Sequence, residues 1–135
     1  FFDYVFCWSV SLLDLQLIGQ GLRQFERSDP ARAARVQPIF VTTDPERDTP
    51  AVLKEYVAAF HPRLIGLTGT PEQIADVKKK FGVFAEKRQE SGATEYLVDH
   101  TRIALLFGPD GKPIAIVPHD QGAEPIAGAL DRWVA

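Results

Sequence analysis

One cysteine and three histidines bound the soft-ligand chemistry open to these 135 residues: Cys7, His61, His100 and His119. A single thiol forms no intrachain disulfide and no zinc site built from several thiolates. Methionine is absent as well, so thiol chemistry or soft-metal binding has to run through Cys7, helped at most by the histidines. Cys7 ends an apolar run and precedes a helical pattern. At such a junction the free amides and positive end of a helix stabilise a thiolate. The plainer reading is a small buried apolar residue. His100 follows Asp99 after Tyr96-Leu97-Val98, where its ring nitrogen is open to a metal or is simply that of an ordinary histidine. His61 and His119 each adjoin a proline in a loop and read as ordinary.

Asp44-Pro45-Glu46-Arg47-Asp48-Thr49-Pro50 packs three acids and one arginine into one turn. Acidic loops bind hard cations, but the simpler account is a helix start. In that account Asp48 and Thr49 begin the helix, the acids favour its N-terminus, and Arg47 offsets their repulsion. Gly19 and Gly21 lie inside a helical pattern and form no phosphate loop. A Gly-x-Ser-x-Gly elbow is also missing, which removes the α/β-hydrolase reading. The formal net charge of −3 argues against nucleic acid as a partner.

Positioning these groups requires one domain, residues 1–135, whose 45% hydrophobic and 24% charged composition suits a globular chain. Residues 1–6 read as a buried strand that ends at Cys7. Leu15, Ile18, Leu22 and Phe25 then share a helical face, stopped by Ser28-Asp29-Pro30. Residues 36–42 read as a strand, although Pro38 argues against a central place in a sheet. Thr49 and Pro50 open a helix with the stripe Leu53, Tyr56, Val57 and Phe60. A short strand at 63–68 precedes the capping box Thr70-Pro71-Glu72-Gln73 and a helix whose core face is Ile74, Val77 and Phe81. Short strands at 83–87 and 95–98 flank a polar surface excursion at 88–93. Residues 102–107 and 112–117 form a hairpin around Gly108-Pro109-Asp110-Gly111, and a last helix buries Ile126, Leu130 and Trp133. This order predicts an α/β fold of thioredoxin-like arrangement: a central mixed sheet flanked by helices, with a C-terminal hairpin and helix. No run reaches the length of a membrane span. The opening inside an apolar run, without an initiator Met, predicts that an N-terminal part of the domain precedes residue 1.

Three segments together resemble the SCO/SenC family of copper proteins: FFDYVFC at the start, VQPIFVTTDPERDTPAVLKEYVAAFHPRLIGLTGTPEQI from Val36 to Ile74, and YLVDH from Tyr96 to His100. The resemblance implies a thioredoxin-like fold and an upstream membrane tether, on the periplasmic or outer side of an inner membrane. It also implies delivery of copper, or reduction of thiols, during assembly of the binuclear copper centre of cytochrome c oxidase. The implied partners are the oxidase subunit carrying that centre and other copper chaperones or thiol reductants. In the family, copper is held by two cysteines of a Cys-x-x-x-Cys loop and by the histidine of an Asp-His pair. Cys7 and His100 match the first cysteine and the histidine, and Asp99 stands where it would support the ligand His100.

The second cysteine has no counterpart. In ungapped register Ser11 takes its place, with Trp8 and Leu12 where the family usually has prolines. In a second register Ser11 to Leu15 is the helix start and loop residues, one cysteine among them, are missing. A serine hydroxyl is neutral, hard and a weak donor, so with serine in place of the cysteine copper affinity falls. Cys7 and His100 still make a low-coordinate Cu(I) site, and the oxidation state that matters, Cu(I) or Cu(II), stays open. These residues cannot run an exchange cycle that needs two cysteines on one chain, which leaves mixed disulfides with a partner. The leading reading is a copper carrier and not a turnover enzyme. Its rivals are a single-cysteine thiol oxidoreductase and a metal-free binding module. Against the oxidoreductase, Val98-Asp99-His100 lacks the proline that thioredoxins hold opposite their cysteine.

Overall fold

A computed structural model describes residues 1–5, 11–83, 85–88, 97–100 and 103–135, with the backbone alone at 11, 86–88 and 97–100. The N-terminal half alternates strand and helix: β1 (Phe2–Asp3), α1 (Ser11–Ser28), α2 (Pro30–Ala33), β2 (Ile39–Thr42), α3 (Pro50–Ala58), β3 (Ile65–Leu67) and α4 (Pro71–Phe81). The remainder is β4 (Ala85–Arg88), β5 (Leu97–His100), β6 (Ala104–Phe107), β7 (Pro113–Val117) and α5 (Ala123–Trp133).

Strands β1, β2 and β3 form a parallel sheet with β2 in the centre, in the register Phe2↔Val41 and Phe40↔Gly66. Pro38 is no obstacle to that central place, because the ladder starts one residue after it. Alternation along the strands sends Phe40 to one face, where it joins Leu15, Leu53, Val57, Phe60 and Leu64 in a buried cluster under α1 and α3. Gly66 lets α3 approach, since a Cβ there would lie 2.9 Å from Leu53 Cβ. Phe2 points to the opposite face and meets Phe81 of α4, ring centroids 5.6 Å apart. Helices therefore lie on both faces, as a sheet built from βαβ units requires.

A second cluster gathers Leu22, Phe25, Ala33, Ala104, Val117, Ile126 and Leu130 from α1, α2, β6, β7 and α5. Helix α1 joins the two cores, with Leu15 in the first and Leu22 and Phe25 in the second. The expected starts of the next helices hold. Thr49 accepts a hydrogen bond from Val52 N, and Thr70 and Gln73 form the full capping box.

Several expectations need correction. The first strand stops at Asp3 rather than running to Cys7, because Val5 N, the next amide on the β2 side, bonds to the Asp48 carboxylate instead of to β2. Helix α1 does end at Ser28, but the chain then forms an unforeseen four-residue helix, α2, which Asp29 caps by accepting from Arg32 N. Phe81 and Trp133 are 41% and 43% exposed; Phe81 lies between Phe2 and Phe107, while the Arg132 guanidinium covers the Trp133 ring. Among the described residues the ladders form three sheets, β1-β2-β3, β4-β5 and the β6-β7 hairpin. The polar excursion at 88–93 lies, beyond Arg88, outside the described residues.

Candidate metal centre

Of the four site residues read from the sequence, three fall on described backbone. Ser11 is the first residue of α1. Asp99 and His100 are the last two residues of β5, in antiparallel register with Glu86 and Ala85 of β4. The expected strand at 95–98 is thus shifted so that the Asp-His pair lies within a ladder and not beyond it. Cys7, in segment 6–10, lies outside the described residues, as does Trp8. Among the described residues no group of three His, Cys, Asp or Glu side chains is arranged to hold a metal ion.

The chain entering segment 6–10 is held by buried polar groups. Tyr4 N donates to Asp3 Oδ1 at 2.8 Å, and Val5 N donates to Asp48 Oδ2 at 3.1 Å. The Thr42 hydroxyl donates to the same Asp48 oxygen at 2.6 Å and accepts from Asp44 N at 2.9 Å. Asp3, Thr42 and Asp48 have no solvent exposure at all. Burial pushes the Asp48 carboxyl above its ordinary range, and the bonds from Thr42 and Val5 offset this only in part. The acidic turn therefore does less for α3 than its sequence suggests. Thr49 alone caps the helix, Arg47 pairs with Asp44, and Asp48 turns back to the strand ends. A charge inside an apolar strand, as at Asp3, was the one sequence sign of this arrangement.

Neither of the other histidines is free for a metal. His61 is 1% exposed; its Nδ1 accepts from Arg63 N at 3.1 Å, and its Nε2 lies 3.0 Å from Glu26 Oε1, off the line of a good hydrogen bond. Arg63 donates to the same Glu26 oxygen at 2.9 Å and to the carbonyls of Ala33 and Val36. Burial works against the Glu26 charge, but the hydrogen bonds from Arg63 and the attraction of Arg63 and His61 outweigh it and hold the carboxyl below its usual range. His119 is also buried, with Nε2 3.6 Å from Asp14 Oδ2 in the first turns of α1.

Residues 1–135 match the SCO1/SenC family throughout. This chain belongs to the SCO1/SenC family. Its fold is thioredoxin-like, as in the Sco structures it superposes on. ScoI of Bradyrhizobium japonicum, solved with copper bound, matches with a TM-score of 0.86 and 35% identity, covering 99% of this chain and 82% of that one. Yeast Sco1 with copper bound matches with a TM-score of 0.85 and 29% identity, over 98% of this chain and 72% of that one. The mitochondrial SCO2 homologue of Bos taurus is 37% identical over 135 residues, all of this chain and 50% of the relative. This SCO1/SenC chain thus spans about half the length of the curated relatives it matches.

Proposed function

We propose that this chain carries copper, as Cu(I), on the Cys7 thiolate and the His100 imidazole, for assembly of the binuclear copper centre of cytochrome c oxidase. One observation carries the reading: the chain matches a family with copper-bound members over its whole length and keeps a cysteine before α1 and the Asp-His pair in β5. The donor set fits the cargo. A thiolate is soft, an imidazole is borderline, and two such donors satisfy a d¹⁰ ion that accepts low coordination numbers, whereas Cu(II) prefers four N or O donors in a plane. With one thiolate the chain holds the ion less tightly than a two-cysteine site and leaves a coordination position open. That position suits direct hand-over to a partner's thiolate or imidazole, and makes the chain a carrier rather than a turnover catalyst.

In this reading the partners are the oxidase subunit that receives copper and the chaperone or thiol reductant that supplies or maintains it. The place of action in this reading is the outer face of an inner membrane, to which the chain is tethered; the names of its relatives support a mitochondrial-type setting and no more. Among the described residues no helix is long and apolar enough to cross a membrane. The test is titration with Cu(I) against a chromogenic chelator. Wild-type protein is expected to compete for one equivalent, and His100→Ala and Cys7→Ala to lose that competition while keeping their folded circular dichroism. Folded wild-type protein that takes no copper would overturn the proposal.

A further inference from the structure

We propose that Asp48 is a positioning residue for the copper donor Cys7, fastening the chain where it leaves β1 to the end of β2. The inference rests on the reading of Cys7 as a ligand, but its geometry stands apart from that reading. Strand β1 pairs with β2 only as far as Asp3↔Thr42. Phe1 and Asp3 bond to β2, so the next amide on that side is Val5 N, while Tyr4 N points away from it; with the ladder ended, the part-buried Val5 N must find another acceptor. Tyr4 finds the side chain of the preceding Asp3, a purely local bond. Val5 finds Asp48, 43 residues away. The Asp48 oxygen that accepts Val5 N at 3.1 Å also accepts the Thr42 hydroxyl at 2.6 Å, so one atom joins the chain two residues before Cys7 to the last residue of β2.

Two other duties read for this turn fall to its neighbours. Thr49 caps α3, and Arg47 pairs with Asp44. Asp48 Oδ1 is buried and makes no hydrogen bond among the described residues; the two hydrogen bonds this side chain makes there both end on Oδ2. A fully buried carboxylate is costly to keep, and this one is spent on Thr42 and Val5. An asparagine in the same pose offers its single carbonyl oxygen to the same two donors, whereas alanine offers none. This separates the tether from the charge.

The experiment uses the full chain with Asp48→Ala, Asp48→Asn and Thr42→Val. Three rates or affinities are read: amide exchange at Val5, alkylation of Cys7 by iodoacetamide at one fixed pH, and Cu(I) competition. Cys7 is the sole cysteine, so the alkylation signal is unambiguous. In Asp48→Ala, Val5 exchange is expected to speed up at least tenfold relative to the amides of α1 and α3. Cys7 alkylation should depart at least threefold from wild type, and Cu(I) affinity should fall at least tenfold. Asp48→Asn should restore all three to within a factor of about two. Unchanged Val5 exchange and Cys7 reactivity in Asp48→Ala would overturn the proposal, as would an Asp48→Asn variant as impaired as the alanine. If Asp48→Ala loses protection everywhere, Thr42→Val decides in its place: faster Val5 exchange and altered Cys7 reactivity in a folded protein support the tether, and unchanged values reject it. Should wild-type protein bind no copper, the copper reading fails while exchange and alkylation still judge Asp48.

Discussion

Each donor of a two-ligand copper site carries a large share of the binding energy, so single side chains decide whether the cargo is held. Ser11 is the sharpest place to test this. It begins α1 four residues after Cys7, the spacing of the family's second cysteine in ungapped register. Ser11→Cys should therefore raise Cu(I) affinity at least tenfold, about 1.4 kcal/mol or more. The measurement is the same chelator competition, and an unchanged affinity assigns the second position elsewhere. A further residue-scale prediction concerns the Glu26, His61 and Arg63 cluster. Removing the charge in Glu26→Gln leaves Arg63 without its anionic partner, at a cost of about 1–3 kcal/mol read from urea unfolding at neutral pH. The copper affinity should not move, because no member of that cluster belongs to the proposed site.

At the scale of elements, α1 is the member on which both cores depend, and its two glycines mark where neighbours press closest. A Cβ at Gly21 would lie 2.6 Å from Ile126 Cβ of α5, and one at Gly19 would collide with the Phe60 carbonyl. These residues read in the sequence as glycines inside a helix without a phosphate role, and the structure supplies their reason as close approach. Gly21→Ala gains helix propensity of about 1 kcal/mol but forces α1 and α5 apart, an overpacking cost of about 1–3 kcal/mol. The expected net result is a lower Tm by differential scanning calorimetry; a rise would show that α5 yields without loss. The strand-helix order, the caps at Thr49 and Thr70 and the hairpin were all legible, because each depends on neighbours within a few residues. The length of β1 was not. Its end is set by the Asp48 carboxylate, 43 residues away, competing with β2 for the Val5 amide.

Across the whole molecule, two buried or half-buried acids pull the pH dependence of stability in opposite directions. Glu26 titrates below its usual range in the folded protein, so its contribution is complete above the ordinary carboxylate pKa and is lost as pH falls through that value toward the lowered one. Asp48 titrates above its usual range. Its contribution to the folded state is complete below the ordinary carboxylate pKa and is lost as pH rises through that value toward the raised one. Acid unfolding should therefore be less steep in Glu26→Gln than in wild type below about pH 4, as followed by circular dichroism at fixed urea. Equal slopes would show that Glu26 gains nothing from Arg63 and His61. Asp48→Asn removes the opposing term, so its stability relative to wild type should improve as pH is raised from about 4 toward neutrality.

Residue types and local spacing by themselves determined the class of this protein. Periodicity and capping signals placed the helices and strands, while the DPERD turn, the Asp-His pair and the cysteine before α1 carried the family and its copper chemistry. The single cysteine was equally plain from the chain, as a matter of counting. Only the tertiary structure decided what the acids of that turn do. Sequence adjacency assigned Asp48 to the helix that follows it, whereas folding brings the ends of β1 and β2 beside it and leaves an amide there that must be bonded. It also decided that His61 and His119 are engaged by Glu26 and Asp14. Burial and hydrogen-bond partners are set by which distant segments meet, and no local pattern encodes that.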